Sequence, residues 1–599
     1  MSEQVEIERA SQALNQGKFA ECAAICGAIV ARDAHNAVAA HLLGLAVKET
    51  GDFAQGEQWL RLSVQLEPQR ADFHANLANL LRRREKFKQA ERFYRRALQL
   101  APGHRAARCS LALTLNDLGR FEESEAVCRE LLAADPGDAE AWIVIGMNLS
   151  RLERLTEAEA AYRQALELDP GNRVAHHNLG TLLTRMGRPE AGLAALESAQ
   201  ALGEGGFELA FNRGRTLMEM NEVEAAEREF ERAVSLQPTN PEAHLQLARV
   251  RYARGDPQFA RSLATATAEN RANAGLQMLF GEVLWRAGEL RSAEVVLQEL
   301  VARQLGGAHV QSILACVLLE TGRLKDAERH ALEAATAAPE DGVVNENLVS
   351  VLLSCGRPEE AMLFIRQQRR RRPGAQAWLA FEATAARLLD PELYHRLYDY
   401  ERLVRTFELE PPAGWSSMEE LNAALLEALG SRHRLQHHPL DQTLRHGTQT
   451  PRSLLAEGDP AIKAILAAFH GPIAEYRRLL GSDAAHPMSA GNIGEMRYTG
   501  AWSVRLHRLG YHVNHFHPEG WLSSAYYVQT PPETEDAVTR WGWIKFGEPR
   551  YPVPGLKPER FVQPRPGRLV LFPSYMWHGT TPIYGDAPRL SIAFDVKPA

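Results

Sequence analysis

The feature that most constrains the fold of this 599-residue chain is a regular 34-residue spacing in its first 375 residues. Glycine, or a polar residue in its place, recurs at this interval, with one residue deleted after Gly255. Five residues after each turn position the side chain is always small, and seventeen residues after it there is often a proline. The eleven turn positions are Gly17, Gly51, Glu85, Gly119, Glu153, Gly187, Asn221, Gly255, Gly288, Gly322 and Gly356.

Each 34-residue unit is expected to contain two helices and two turns. The turn residue ends the first helix in the left-handed conformation, and the small residue lets the paired helices approach closely. The proline ends the second helix because it cannot continue the hydrogen-bond ladder. One unit cannot bury its own apolar face, so neighbouring units must stack. The spacing therefore predicts an all-α array of about eleven units over residues 4–375.

This pattern resembles the tetratricopeptide repeat. The resemblance implies a superhelix whose concave face binds a protein or peptide segment, either as a partner or as a substrate. A second interpretation stays open, in which the array is a spacer that only holds or oligomerises the C-terminal part. The oligomeric state cannot be read from the pattern.

Composition excludes several classes of protein. The net charge is −7, which argues against a chain that coats nucleic acid or an anionic membrane. The six cysteines form no disulfide framework, which fits a reducing compartment. The N-terminal residues do not resemble a secretory signal, and no run is long and apolar enough to span a bilayer. We therefore expect a soluble, cytoplasmic protein without nucleic-acid or membrane partners.

The character of the chain changes after residue 375. Residues 376–485 are largely helical but lose the 34-residue register, and they are expected to form a helical linker and the start of a second region. Residues 486–599 contain short runs rich in Val, Tyr, Trp and Phe, separated by Gly and Pro. Many short strands with turns between them predict an antiparallel sandwich or jelly roll. The predicted strands are 491–498, 501–507, 522–530, 541–546, 567–573 and 588–596.

Potential metal ligands cluster in this β region. The segment GYHVNHFHPEGW contains His512, His515 and His517, and alternate residues of a strand point to one face. A further histidine, His578, follows an apolar strand in LFPSYMWHGTTP. The closing strand, RLSIAFDV, begins with Arg589, whose guanidinium has the fork geometry that a dicarboxylate requires.

The order H-x-H, LFPSxxxH and R-x-S resembles the iron(II)- and 2-oxoglutarate-dependent oxygenases, in the branch often fused to tetratricopeptide repeats. With HPLDQTLRHGTQT and HPEGWLSSAYYV, the resemblance covers about residues 431–599. It implies a double-stranded β-helix that uses Fe(II), 2-oxoglutarate and O₂ to hydroxylate a C–H bond. Arg589, eleven residues after His578, would bind the distal carboxylate of 2-oxoglutarate, and Ser591 and Tyr527 are further candidate contacts.

The sequence departs from the family pattern at the acidic metal ligand. His517 occupies its usual place, and the ligands are expected to be His515, His517 and His578. In the alternative, His517 and Glu519 form an H-x-E pair that binds the metal with His578, and His515 lies behind the ligands. His512 and Arg445 are candidates for a position behind the ligands or at a substrate lip.

Two other functions remain open: a non-catalytic scaffold with a degenerate barrel, and another cupin-like metal enzyme that needs no keto acid.

Overall fold

The computed structural model describes residues 3–203, 205–481, 483 and 485–598. The chain divides into two compact units, Met1–Gly205 and Gly206–Ala599. Among the described residues, no helix combines the length and apolar character needed to cross a bilayer.

The first unit consists of paired antiparallel helices of 13 or 14 residues each. They are α1 Glu3–Asn15, α2 Phe19–Arg32, α3 Ala37–Glu49, α4 Phe53–Leu66, α5 Ala71–Arg83, α6 Phe87–Leu100, α7 Arg105–Asp117, α8 Phe121–Ala134, α9 Ala139–Arg151, α10 Leu155–Leu168, α11 Arg173–Arg185 and α12 Pro189–Ala201.

The second unit continues the same pairing before it changes to strands. Its repeat helices are α13 Phe207–Glu219, α14 Val223–Leu236, α15 Pro241–Ala253, α16 Arg261–Glu269, α17 Ala274–Arg286, α18 Leu290–Ala302, α19 Gly307–Glu320, α20 Leu324–Ala337, α21 Gly342–Ser354 and α22 Pro358–Arg371. The helices that follow are α23 Gln376–Leu389, α24 Pro391–Leu397, α25 Tyr400–Leu403, α26 Met418–Gly430, α27 Pro460–Ala468, α28 His470–Leu480 and α29 Pro487–Ala490.

The repeat turns have the predicted conformation. All eleven turn residues have a positive φ, from 57° at Glu85 to 99° at Gly51. The small residues also lie where helices meet, because a Cβ added at Gly192 would come within 2.8 Å of the Gly180 carbonyl oxygen.

A recurring hydrogen bond that the sequence analysis did not predict fixes the turn between repeats. Near the start of a first helix, a polar side chain bonds the carbonyl oxygen of the residue six positions earlier, which in most repeats is the terminal proline. His74 Nε2 lies 2.9 Å from Pro68 O, and His176 Nε2 lies 3.0 Å from Pro170 O. The same position is used by Arg108, His244, Gln277 and Asn345. Each bond satisfies a backbone carbonyl in the turn between two repeats.

The strands form two antiparallel sheets. A six-stranded sheet has the order β1-β7-β4-β9-β3-β2, and a three-stranded sheet has the order β6-β5-β8. The strands are β1 Arg405–Glu408, β2 Leu444–Gln449, β3 Met496–His512, β4 Leu522–Gln529, β5 Ile544–Phe546, β6 Arg560–Val562, β7 Arg568–Pro573, β8 His578–Thr580 and β9 Arg589–Pro598. The predicted fold class, a helical repeat array followed by a mainly β jelly-roll domain with flanking helices, is confirmed.

The strand boundaries differ from the prediction at one instructive place. The two strands predicted at 491–498 and 501–507 are one long strand, β3, with a register shift between Tyr498 and Gly500. Glycine at 500 suggested a turn, but β9 pairs on both sides of it and the chain passes through as a bulge.

The second unit has one large hydrophobic core. A single cluster of buried residues runs from Ala248 in the repeats to Val596 in β9. Trp577 joins the β domain to α23, the helix that follows the repeats, since its indole Nε1 donates to Thr384 Oγ1 at 3.0 Å and its ring contacts that of Phe381. The last repeats and the β domain therefore share one continuous hydrophobic core.

Candidate metal centre

Backbone hydrogen bonds hold the three predicted histidine ligands close together. His515 and His578 form an isolated antiparallel bridge, in which each backbone N–H donates to the other's carbonyl, at 2.8 and 2.9 Å. The N–H of His517 donates to Ser574 O at 2.8 Å. These bonds tie the H-x-H segment to the chain around His578, although the two lie 61 residues apart in sequence.

Each of these imidazoles is oriented by a hydrogen bond from its Nδ1. His515 Nδ1 lies 2.8 Å from Val513 O, and His578 Nδ1 lies 2.9 Å from Met576 O. His517 Nδ1 lies 2.7 Å from both carboxylate oxygens of Asp595. Because carbonyl and carboxylate oxygens only accept, all three Nδ1 atoms must carry the proton, and the Nε2 atoms are left with free lone pairs.

The free nitrogens converge on one point. One ligand atom from each of His515, His517 and His578 lies within 4.8 Å of the others. His515 Nε2 and His517 Nε2 are 3.2 Å apart. With the proton of each ring on Nδ1, the facing Nε2 lone pairs fit a metal that accepts imidazole ligands, such as iron or zinc.

Burial keeps the His515 and His578 rings neutral. It is the main cause that lowers the pKa of His515 to about 3, with the neighbouring His517 as a second cause. The pKa of His578 is lowered well below its usual value for the same reason. Neutral imidazole is the form that binds a metal.

Asp595 is a site residue that the sequence analysis missed. It lies on β9, and besides holding His517 it accepts a hydrogen bond from Ser523 Oγ at 2.7 Å. Ser523 in turn contacts Ser574 Oγ at 2.8 Å. A carboxylate on the outer nitrogen of a histidine ligand fixes its orientation and makes it a stronger donor. The two-residue period of a strand could have identified Asp595, because Arg589, Ser591, Ala593 and Asp595 alternate along β9 and all line one cavity.

The predicted 2-oxoglutarate residues line that same cavity, of about 460 Å³, beside the histidines. Arg589 donates to Gly542 O at 2.6 Å, while its buried Nε has no hydrogen-bond partner among the described residues. Its guanidinium lies 5.6 Å from the ring centre of Tyr527, whose buried hydroxyl likewise has no partner in the described part of the chain. Ser591 is buried nearby, with its Oγ 3.5 Å from Val504 O. A buried cation and two polar groups thus face the space next to the three histidines, which suits an anionic ligand.

The remaining candidates lie at different distances from the centre. His512 lines the cavity, stacks against His515 and lies with Nδ1 3.2 Å from Thr443 Oγ1. Glu519 lines the cavity rim but is exposed and does not belong to the three-histidine group. Arg445 lines a neighbouring groove. Asp586, a possible partner for Arg589, pairs with Arg508 at 3.5 Å instead.

Comparisons with known families match both parts of the chain. Residues 500–595 match the family model described as "Putative 2OG-Fe(II) oxygenase". Tetratricopeptide-repeat models match residues 81–146, 139–172, 173–198, 211–275 and 278–342. The chain therefore combines tetratricopeptide repeats with a domain of the 2OG-Fe(II) oxygenase family.

Two of the solved structures that are similar to this chain are tetratricopeptide-repeat proteins. A tetratricopeptide-repeat protein from Parabacteroides merdae is 17% identical, with 41% of this chain and 97% of that chain covered and a TM-score of 0.38. A thermophilic repeat protein from Thermus thermophilus is 22% identical, with 31% and 97% covered and a TM-score of 0.28. No curated protein matches the chain.

Proposed function

We propose that this protein is an Fe(II)- and 2-oxoglutarate-dependent hydroxylase whose substrate is a protein or peptide segment. The observation that carries the proposal is the shared cavity. Three histidine ligand nitrogens converge at one end, and the Arg589 Nε and the Tyr527 hydroxyl, which have no hydrogen-bond partner among the described residues, belong to residues that line it.

The proposed roles follow from these contacts. His515, His517 and His578 would hold the metal through Nε2, and the Asp595 carboxylate would supply the negative charge that a carboxylate ligand normally brings. Bound Fe(II) would supply the redox chemistry by which O₂ and 2-oxoglutarate yield succinate and CO₂ while a substrate C–H bond becomes C–OH. Arg589 would bind and orient the distal carboxylate of 2-oxoglutarate, accompanied by Tyr527 and Ser591.

The β domain would also keep water away from the reacting atoms. His578, Arg589 and Ser591 are each no more than 6% exposed, and Phe572 packs against the His578 ring. In such surroundings an ion pair with a carboxylate is stronger than in water, so Arg589 would discriminate for a dicarboxylate.

The repeats are proposed to capture the substrate on their concave face. Tetratricopeptide repeats are interaction modules, and tethering a segment beside the cavity would raise its effective concentration there. The proposed partner is therefore a protein or peptide, and neither nucleic acid nor a membrane is proposed as a partner.

The test is an anaerobic titration of the full-length metal-free protein, first with Fe(II) and then with 2-oxoglutarate, followed by visible absorption. We expect a weak charge-transfer band that His578→Ala abolishes and Arg589→Ala shifts to higher 2-oxoglutarate concentration. Arg508→Ala is the matched control, because it removes an exposed arginine of β3 that lies outside the cavity. Absence of the band in folded wild-type protein would instead favour the scaffold interpretation.

A further inference from the structure

A second and larger cavity adjoins the metal centre. It is a groove of about 950 Å³ between the repeats and the β domain. Trp285 and Leu319 from the repeats form one wall, and Tyr511 and Tyr551 from the β domain form the other. Residues 441–443 line both the groove and the metal cavity, so the two spaces meet there. A volume at the upper end of the small-ligand range, next to a repeat array, suits an extended segment of polypeptide.

The segment where the cavities meet is anchored to the repeats. The Asp441 carboxylate pairs with Arg249 at 2.5 Å and also with Arg286. The backbone N–H groups of Gln436 and His437 both donate to Ala253 O, at 3.0 Å. Repeat helices α15 and α17 therefore hold the segment where the two cavities meet.

The acidic groups of the groove already have partners. Glu320 accepts from the Trp285 indole Nε1 at 3.1 Å and lies 3.5 Å from Arg550. Arg550 also lies over the Trp285 and Tyr551 rings. Asp441 is shared by two arginines, as described above. The negative charges of this surface are thus neutralised within the protein.

Arg445 is the exception among the charged groups. Its Nη1 donates to two backbone carbonyls, Gln442 O at 2.8 Å and Leu444 O at 2.9 Å. Among the described residues, no carboxylate lies within 4.0 Å of its guanidinium. The side chain is half-buried, and burial lowers its pKa. A half-buried guanidinium without an anion is costly unless a ligand provides one.

The local backbone conformation determines the position of the Arg445 side chain. The register of β2 against β3 shifts between Arg445 and Gly447, and the intervening His446 has a φ of 52°. Such bulges commonly redirect a side chain beside an active site. Arg445 pairs across the strands with Tyr511, and both line the groove, while the next residue of β3, His512, lines the metal cavity.

We propose that the groove binds the substrate as an extended peptide segment with an acidic side chain, which pairs with Arg445 while the segment packs against Trp285 and Tyr551. The proposal rests on the proposed function, because it takes the adjoining cavity to be the hydroxylation site. It adds a chemical class for the substrate: a peptide with Asp or Glu near the modified residue.

The test uses a pool of random twelve-residue peptides equilibrated with the immobilised full-length protein, and retained peptides are sequenced. We expect wild-type protein to enrich Asp and Glu over Asn and Gln, by about tenfold for a charge-assisted pair. Arg445→Gln should remove the preference, and Arg445→Glu should reverse it towards Lys and Arg. Arg497→Glu, an exposed arginine on β3 outside the groove, should retain it.

Two outcomes overturn the proposal: no acidic enrichment by the wild-type protein, or the same enrichment by wild type and Arg445→Glu. Fe(II) binding by each variant reports whether the adjoining site is intact. Acidic enrichment without metal binding would contradict the proposed function and leave the groove assignment standing, so the two failures are separable.

Discussion

Histidines in the repeats and histidines in the metal centre bond backbone carbonyls through different ring nitrogens, and they differ in what the second nitrogen meets. In the repeats, His74, His176 and His244 each bond a proline carbonyl and stand one to a repeat. In the β domain, His515 and His578 bond backbone carbonyls through Nδ1 rather than Nε2, and their remaining nitrogens lie close together. A single repeat histidine stabilises a turn, whereas the three histidines of the β domain, with their lone pairs converging, form a candidate metal site.

The difference shows that residue type alone does not mark function. A repeat separates equivalent histidines by a whole helical pair, so their lone pairs face different surroundings. The H-x-H segment and the bridge to His578 place three rings within contact distance. The comparison therefore predicts that equal substitutions in the two regions have unequal effects on metal binding.

Substitution of a ligand should have the largest effect. His578→Ala should weaken Fe(II) binding by at least about 100-fold, because even the loss of a residue behind a ligand costs about 10- to 100-fold. His176→Ala is the matched repeat variant and should leave the affinity within about twofold. Isothermal titration calorimetry with Fe(II) under anaerobic conditions measures both, and equal losses in the two variants would refute the distinction between these histidines.

Loss of the charge behind a ligand should have an intermediate effect. Asp595→Asn keeps an oxygen near His517 Nδ1 but removes the negative charge, so metal affinity should fall by about 10- to 100-fold. The same titration measures it. Asp586→Asn, on an exposed carboxylate near the start of β9, is the control and should not change the affinity. An unchanged affinity in Asp595→Asn would show that this carboxylate does not act on the metal.

Acid should destabilise the repeat region through a buried histidine. His41 is 7% exposed, and burial is the main cause that lowers its pKa from 6.5 to about 4. Between pH 6.5 and pH 4, His41 is protonated in the unfolded chain but neutral in the folded chain. The free energy of unfolding therefore falls as the pH drops. From pH 7 to pH 5 the loss is about 2 kcal/mol in the free energy of unfolding.

Urea unfolding of wild type and His41→Leu at the two pH values measures this effect. The wild-type protein should show the steeper loss, because leucine takes up no proton. Parallel losses in the two proteins would assign the acid sensitivity to other groups.

Removal of a single turn bond should have the smallest effect. His176→Ala removes the bond to Pro170 O from a partly exposed position and should lower the free energy of unfolding by about 1 kcal/mol. His176→Gln, which keeps a donor, should recover part of the loss. Urea midpoints measure both, and a loss of several kcal/mol would mean that the bond controls more than its own turn.

Much of the fold was predictable because the repeat signal is periodic. Each turn position constrains one backbone conformation, and even Glu85 and Glu153 adopt it where glycine is absent. The ligand histidines were predictable as a set because H-x-H and the later histidine have few other reasons to occur together.

Other features depend on contacts between distant segments. Asp595 lies 78 residues after His517, and although its spacing from Arg589 and Ser591 places it on their face of β9, its contact with His517 depends on how the chain folds. The join of two predicted strands into β3 depends on pairing with β9, and the isolation of Arg445 depends on which acids the repeats already neutralise. Propensity and spacing do not carry this information.

The large hydrophobic core of the second unit determines how the repeat array ends. A stack of repeats normally finishes in a helix with a polar outer face, which keeps the last apolar surface from water. Here that surface continues into the β domain, through Trp378, Phe381 and Trp577. The oxygenase-family domain is thus the terminal cap of the array, and separating the two would leave a bare apolar end prone to aggregation.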